Sequence, residues 1–133
     1  MDTRKKAEKQ WAQQKYEVMA KSYRFYSSIR DRFREAKEEK DYLAILEELK
    51  ELEQVPYTKK GFNNTAQHVW GYFKKVATLE EKDEFFERLE NCSSLPDEFD
   101  KGEPAAEHLL SYIKETLLIS HPQPYLNQSS ILK

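Results

Sequence analysis

Helix breakers and sulfur are what this chain has least of: three Gly, five Pro and one Cys in 133 residues. With so few breakers, and with Glu, Lys, Leu and Ala plentiful, a soluble and mostly helical protein without a sheet is expected. A lone Cys92 forms no internal disulfide and builds no Cys-only zinc or iron–sulfur site from this chain alone. No run approaches the roughly 20 apolar residues of a membrane span. The leading segment MDTRKKAEKQ opens on no apolar stretch of a secretory kind, so a reducing cytoplasm is the expected compartment and no membrane the expected partner. What is present is bulk and charge. Hydrophobic residues at 38%, aromatics at 13%, suffice for the core of a single domain over 1–133. The net charge of −2 hides an asymmetry, since residues 1–34 hold ten Lys or Arg against four acids and residues 35–133 hold twelve against twenty. A basic first segment attracts phosphates or an acidic partner, although a charged helix run is most often a solvated face.

Apolar spacing of three and four residues predicts an all-α bundle of five to six helices. The first runs from about Lys5 to Ala36 with a stripe of Ala12, Tyr16, Met19, Tyr23, Tyr26, Ile29 and Phe33. Asp41 is the expected N-cap of a second, striped by Tyr42, Ile45, Leu46, Leu49 and Leu52 and closed by Pro56. Thr58 caps a third that continues to Val76. Thr78 with Glu81 fits a capping box for a fourth, Leu79–Asn91, packing on Leu79, Phe85, Phe86 and Leu89. Cys92–Glu103 reads as a surface loop, and Pro104 opens a fifth helix with Ala106, Leu109, Leu110, Ile113 and Leu117 inside. His121, Pro122 and Pro124 end it before one or two further turns. Trp11, Tyr16, Met19, Leu46, Leu49, Phe73, Phe85, Leu109 and Ile113 are the expected core.

The third helix carries the candidate site. Asn64, His68, Tyr72 and Lys75 fall at i, i+4, i+8 and i+11, hence on one helical face, with Gly71 beside them leaving room for close approach. Lys15, Ser22 and Tyr26 stand at i, i+7 and i+11 on helix one, and side-by-side packing of the two helices would bring both sets into one polar pocket. Lys15, Tyr26, Asn64, His68, Tyr72 and Lys75 are therefore the candidate ligand-binding residues. Lys and His suit an anion, Asn a base or amide edge, and tyrosines a planar ring.

Lys15-Tyr16, Met19-Ala20, Ser22 and Tyr26, then Thr58-Lys59, then Asn64-x3-His68-x2-Gly71-Tyr72-Phe73-Lys74, and finally Tyr125-Leu126 with Gln128 resemble the YbgA-like domain, a bacterial domain of unknown function, from about Trp11 to Leu132. The resemblance implies a domain that occurs alone or fused behind a cysteine-rich module similar to an iron–sulfur-dependent thiouracil desulfurase. That module's cysteines are not in this chain. The implied partnership favours a nucleotide or nucleobase-like ligand, or a separately encoded partner enzyme.

Several readings of the polar face stand side by side. A buried hydrogen-bond network fixing two helices is the first; a ligand site is the second. Catalysis by the chain on its own ranks last, because no carboxylate shares the Asn64–Lys75 face to orient His68 and no nucleophile is placed by local sequence. His68, His108, His121 and Cys92 lack helical metal-ligand spacing, so neither metal nor cofactor is expected. Helix one interleaves Lys9, Trp11, Lys15, Lys21, Tyr23, Arg24 and Arg30, while Lys59, Lys60, Lys74 and Lys75 bracket helix three. With Tyr23, Tyr26 and Phe33 needed for the core and so many acids elsewhere, weak and non-specific nucleic-acid binding is the most expected of that surface.

Overall fold

Helix α1 (Thr3–Lys21) is the axis on which the rest of the chain is assembled in a computed structural model that describes residues 2–133. Asp2 caps it, its carboxylate accepting from Lys5 N at 3.2 Å. Its last turns are enclosed rather than striped: Tyr16, Val18, Met19, Ala20 and even Lys21 are buried. That enclosure follows from four neighbours, α2 (Tyr23–Glu35), α3 (Glu39–Leu52), α4 (Lys59–Trp70) and the C-terminal 3-10 turn Ser130–Leu132.

Helix one is not continuous to Ala36. Ser22 adopts an extended backbone (φ −171°, ψ 136°), and its side chain accepts from Arg24 N at 3.2 Å as the N-cap of α2. The break lets α2 fold back so that Tyr26 and Phe33 both stack on Trp11, with ring centroids 5.6 and 6.1 Å away. A straight helix would leave that apolar stripe without a partner. The break also frees backbone acceptors at the end of α1. Lys21 O accepts from the Thr58 hydroxyl at 3.1 Å, and the Lys21 ammonium donates to Leu52 O, the last residue of α3, at 2.7 Å. Helix ends leave such carbonyls orphaned, and here side chains of neighbouring elements satisfy them. Burial pulls the Lys21 ammonium below its usual range, against the opposing charges of Glu17 and Glu53.

Helix α3 begins three residues earlier than expected. Glu38 is the cap, and Asp41 sits inside the first turn, its carboxylate accepting from Lys37 N and Glu38 N at 3.0 and 2.9 Å. Those bonds hold Asp41 below the ordinary carboxylate range. Thr58 caps α4 as expected, but α4 stops at Trp70. From there Gly71 N, Tyr72 N and Phe73 N turn to His68 O, Val69 O and Trp70 O at 3.1, 3.0 and 2.9 Å, i to i−3 bonds that tighten the chain out of the α-helix. Thr78 and Glu81 form the capping box of α5 (Leu79–Asn91) through bonds of 3.0 and 2.8 Å. Phe85 and Leu89 face inward, whereas Leu79 is 73% exposed and Phe86 38%, so the expected packing of those two does not occur. Phe86 only edges Trp70 and Phe85.

The segment after α5 is more than a surface loop. It carries the 3-10 turn Cys92–Ser94, buries Leu95 and Phe99, and pairs β2 (Glu98–Phe99) antiparallel with β1 (Tyr57–Thr58), a two-residue sheet where none was expected. Phe99 packs on Tyr57 and Phe62. Pro104 starts α6 (Pro104–Tyr112), which continues through a π turn, Ile113–Leu117, into α7 (Leu118–Ser120). The π turn shifts the inward face by one residue, so Leu117 and Leu118 are both buried. Helix α8 (Pro124–Asn127) and the Ser130–Leu132 turn close the chain. Among the described residues the architecture is an all-α bundle with that one strand pair. Two apolar clusters flank α1: Ile29, Tyr42, Ile45 and Leu49 on the α2–α3 side, and Met19, Phe62, Phe73, Phe85, Leu109 and Leu126 on the other. Trp11 and Leu46 are half-buried against the first rather than enclosed. Among the described residues no helix is long and apolar enough to cross a membrane.

Candidate functional site

Gly61 decides how closely α1 and α4 meet. A methyl group there would lie 2.5 Å from Ala20 O and 2.9 Å from Ala20 C, so only glycine admits the end of α1 against the first turn of α4. Close approach was expected of Gly71, but Gly71 is exposed and a methyl there would meet only His68 O of its own helix, at 3.0 Å. Because α1 ends against the start of α4, and α2 starts where α1 ends, the N-termini of α2 and α4 open onto one cleft of about 780 Å³. The Cys92–Asp97 segment forms its far side, tied to α4 by Lys59 N donating to Asp97 O at 3.0 Å.

Three kinds of side chain line the cleft. Arg24, from the first turn of α2, and Lys59 and Lys60, from the first turn of α4, supply positive charge, with Asp97 the only carboxylate lining it among the described residues. Tyr23 stands on the wall, 45% exposed, rather than in the core where its place in the apolar stripe puts it. Asn63, Asn64 and Gln67 line it along α4, Gln67 Nε2 donating to Asn63 Oδ1 at 2.6 Å. The Thr58 hydroxyl is spoken for, donating to Lys21 O and accepting from Gly61 N at 3.0 Å. Cys92 contributes a buried thiol pushed up to about 11 by burial, so at neutral pH it stays protonated and a poor nucleophile. The cleft therefore offers charge-assisted donors, amides and a ring face: the means to hold a ligand.

The sequence candidates separate into different surroundings. Asn64 and Ser22 line the cleft. His68 is exposed one turn further along α4, outside the cleft lining. Tyr72 and Lys75 lie beyond the end of α4, so the face shared by all four residues does not exist past His68; Lys75 is exposed. Tyr72 instead joins Tyr16 through their hydroxyls at 2.8 Å, with the rings edge to face, while Gln123 Nε2 donates to Tyr72 O at 3.3 Å. Burial, then the bond to Tyr72, raises the Tyr16 phenol well above its usual range. Lys15 sits by the same tyrosine, its ammonium 5.7 Å from the Tyr16 ring and 5.5 Å from the Tyr125 ring. Tyr26 is on α2 against Trp11 and Tyr23. The expected single pocket thus resolves into a cleft at Asn64 and a tyrosine cluster around Lys15 and Tyr72.

Tyr23, Arg24, Lys59, Lys60, Asn63 and Gln67 are the cleft residues that the periodicity did not single out. The signal available for them was Ser22: a good cap residue in the middle of an apparently continuous helix, 36 residues before the second cap, Thr58. Glu17 is the other polar centre. It accepts from Tyr57 OH at 2.7 Å and Ser130 Oγ at 2.6 Å. Burial pushes its carboxyl up, but those two bonds and the charges of Lys101 and Lys21 outweigh burial and hold it below the ordinary range. Glu17 so pins the C-terminal turn to α1, a structural duty. Among the described residues, no three metal-capable side chains come together.

A family model described as "Protein of unknown function (DUF1722)" matches residues 15–133. No curated protein and no solved structure matches the chain.

Proposed function

The chain belongs to the DUF1722 family, the YbgA-like proteins, whose description assigns no activity, and we propose that it is a binding domain for a small nucleotide- or nucleobase-like ligand. The ligand occupies the cleft between the α1–α2 junction and α4. The observation that carries this reading is the coincidence, in one cavity of about 780 Å³, of an aromatic wall, a run of amides and three cations. That volume is within the range of about 300–1,000 Å³ usual for small-molecule pockets. Tyr23 supplies a face for a planar ring, and Asn63, Asn64 and Gln67 supply donors and acceptors for its edges. A cytoplasmic setting suits the reading, since Cys92 is a free thiol.

The test is a thermal-shift and calorimetric screen of nucleobases, nucleosides, nucleotides and thiolated analogues, since a ligand of the folded state raises the melting temperature. Tyr23→Ala and Asn64→Ala are expected to remove the best hit with little change in the melting temperature of the free protein. A screen without any hit overturns the proposal.

One observation favours a second role, as an accessory module for an enzyme partner. Leu79 and Phe86, seven residues apart on acidic α5, are exposed, with Val76 near them in sequence at 53%. Leu79→Glu with Phe86→Glu should abolish co-purification with a desulfurase-like enzyme while leaving the cleft's ligand bound; retained co-purification removes this role.

A further inference from the structure

Resting on the reading of the cleft as a nucleotide- or nucleobase-like site, we infer that its ligand is the phosphorylated form, a nucleotide whose phosphate is held among Arg24, Lys59 and Lys60. These three cations share one concave surface with a single carboxylate, Asp97, in a chain whose net charge is −2. They are also unpaired: among the described residues, ion pairs engage Arg4, Arg30, Arg32, Arg34, Lys40 and Arg88, and none engages Arg24, Lys59 or Lys60. Cations that merely solubilise a surface would gain by spreading out or by meeting acids. Cations crowded around a cavity repel one another until an anion enters.

Their placement against the helix fields adds to that repulsion. Helices α3, α5 and α6 follow the usual preference, with Glu39 and Asp41, Glu80 and Glu81, and Glu107 in their first turns. Helices α1, α2 and α4 have no acid there; α1 carries Arg4 and Lys5, outside the cleft, while α2 and α4 carry Arg24, Lys59 and Lys60 on the cleft, where the aligned peptide dipoles already make the potential positive. In the free protein this arrangement is locally unfavourable, and a phosphate reverses its sign by taking charge-assisted hydrogen bonds from the side chains. Tyr23 and the Asn63–Gln67 amides occupy the same cavity, so one ligand can place a ring on the tyrosine and its phosphate among the cations.

The experiment is calorimetric titration of the full chain with a matched trio: nucleoside, nucleoside 5′-monophosphate and inorganic phosphate. The base is the best hit of the screen. Expected is nucleotide binding at least tenfold tighter than nucleoside, with phosphate a weak competitor. In Lys59→Gln with Lys60→Gln, nucleotide affinity should fall roughly ten- to a hundredfold and nucleoside affinity should hold. Lys60→Glu should leave the melting temperature of the free protein unchanged or raised, yet abolish nucleotide binding. Equal affinity for nucleoside and nucleotide overturns this inference and leaves the binding proposal standing. Absence of binding by either overturns both. Phosphate binding as tightly as the nucleotide overturns the nucleotide assignment in favour of an anion site alone. A Lys60→Glu protein that is markedly less stable overturns the argument that these cations stand against the helix fields.

Discussion

Replacing Gly61 with alanine tests the geometry on which the cleft depends. The added methyl would stand 2.5 Å from Ala20 O, 2.9 Å from Ala20 C and 2.8 Å from Thr58 Oγ1. The first two atoms are backbone in the enclosed end of α1 and cannot swing aside. Relief therefore requires α1 and α4 to separate by most of an ångström, or the first turn of α4 to unwind. Overpacking of this kind costs about 1–3 kcal/mol. Disturbing the Thr58 cap adds about 1 kcal/mol. Alanine's better helix propensity returns at most about 1 kcal/mol, and less than that in a first turn. The net loss is about 1–4 kcal/mol, or roughly 4–15 °C in melting temperature for a domain of this length. Urea unfolding followed by circular dichroism, with Gly102→Ala as control, measures it. A methyl at Gly102 meets nothing within 4 Å and should be neutral or mildly stabilising. A Gly61→Ala protein as stable as the parent would refute the close contact, and with it the account of how the cleft is held open.

Further outcomes are expected. Phe85→Ala removes a fully buried ring stacked on Trp70 at 4.8 Å and should cost about 3–5 kcal/mol in urea unfolding. Glu17 is held below its unfolded value, so its contribution is fully present above the unfolded carboxyl pKa of about 4.3 and is lost as pH falls through its folded value. Melting temperatures from pH 2 to 7 should therefore fall less steeply below about pH 4.3 in Glu17→Gln, which starts lower at neutral pH; parallel curves would contradict the assignment. His68→Ala and Lys75→Ala, both exposed, should each stay within about 0.5 kcal/mol of the parent and leave ligand binding intact. Labelled single-stranded RNA and duplex DNA should bind weakly at low salt and dissociate near physiological salt, because Lys21 is buried and twenty acids follow the basic segment; tight binding that survives physiological salt defeats that expectation.

What was legible in the sequence was whatever local chemistry decides. Thr58 and Thr78 cap helices because their hydroxyls reach an amide three residues on, and Pro104 opens α6 because its missing N–H is not needed there. The Tyr42–Ile45–Leu49–Leu52 stripe is buried because its spacing leaves it one side to face. The failures share a cause in long-range partners. Glu98 and Phe99 lie in a stretch hydrophilic enough to read as loop, yet they form a strand because Tyr57 and Thr58, about forty residues earlier, offer the pairing edge and Phe99 has Phe62 to pack on. Helix α4 ends at Trp70 though no proline marks the place. Phe73 must turn inward to its fully buried position, and the tightened turn delivers it there.

The same logic explains why only some of the sequence candidates lie on the cleft. Helical spacing projects residues onto one unbroken cylinder, and Asn64, which lies within α4, falls on the cleft. Tyr72 and Lys75 leave that face because the cylinder stops before them, and Tyr23 and Arg24 reach the cleft because α1 stops at Ser22. Both stops involve groups remote in sequence. If α1 continued past Ser22, Lys21 O would fall within the helical hydrogen-bond ladder and compete with the Thr58 hydroxyl it now accepts from. The turn of α4 would lose its anchor, and Arg24 would be carried away from Lys59 and Lys60. The cleft therefore exists because the Ser22 and Thr58 caps let two helices begin beside the end of a third, with Gly61 small enough to let them meet.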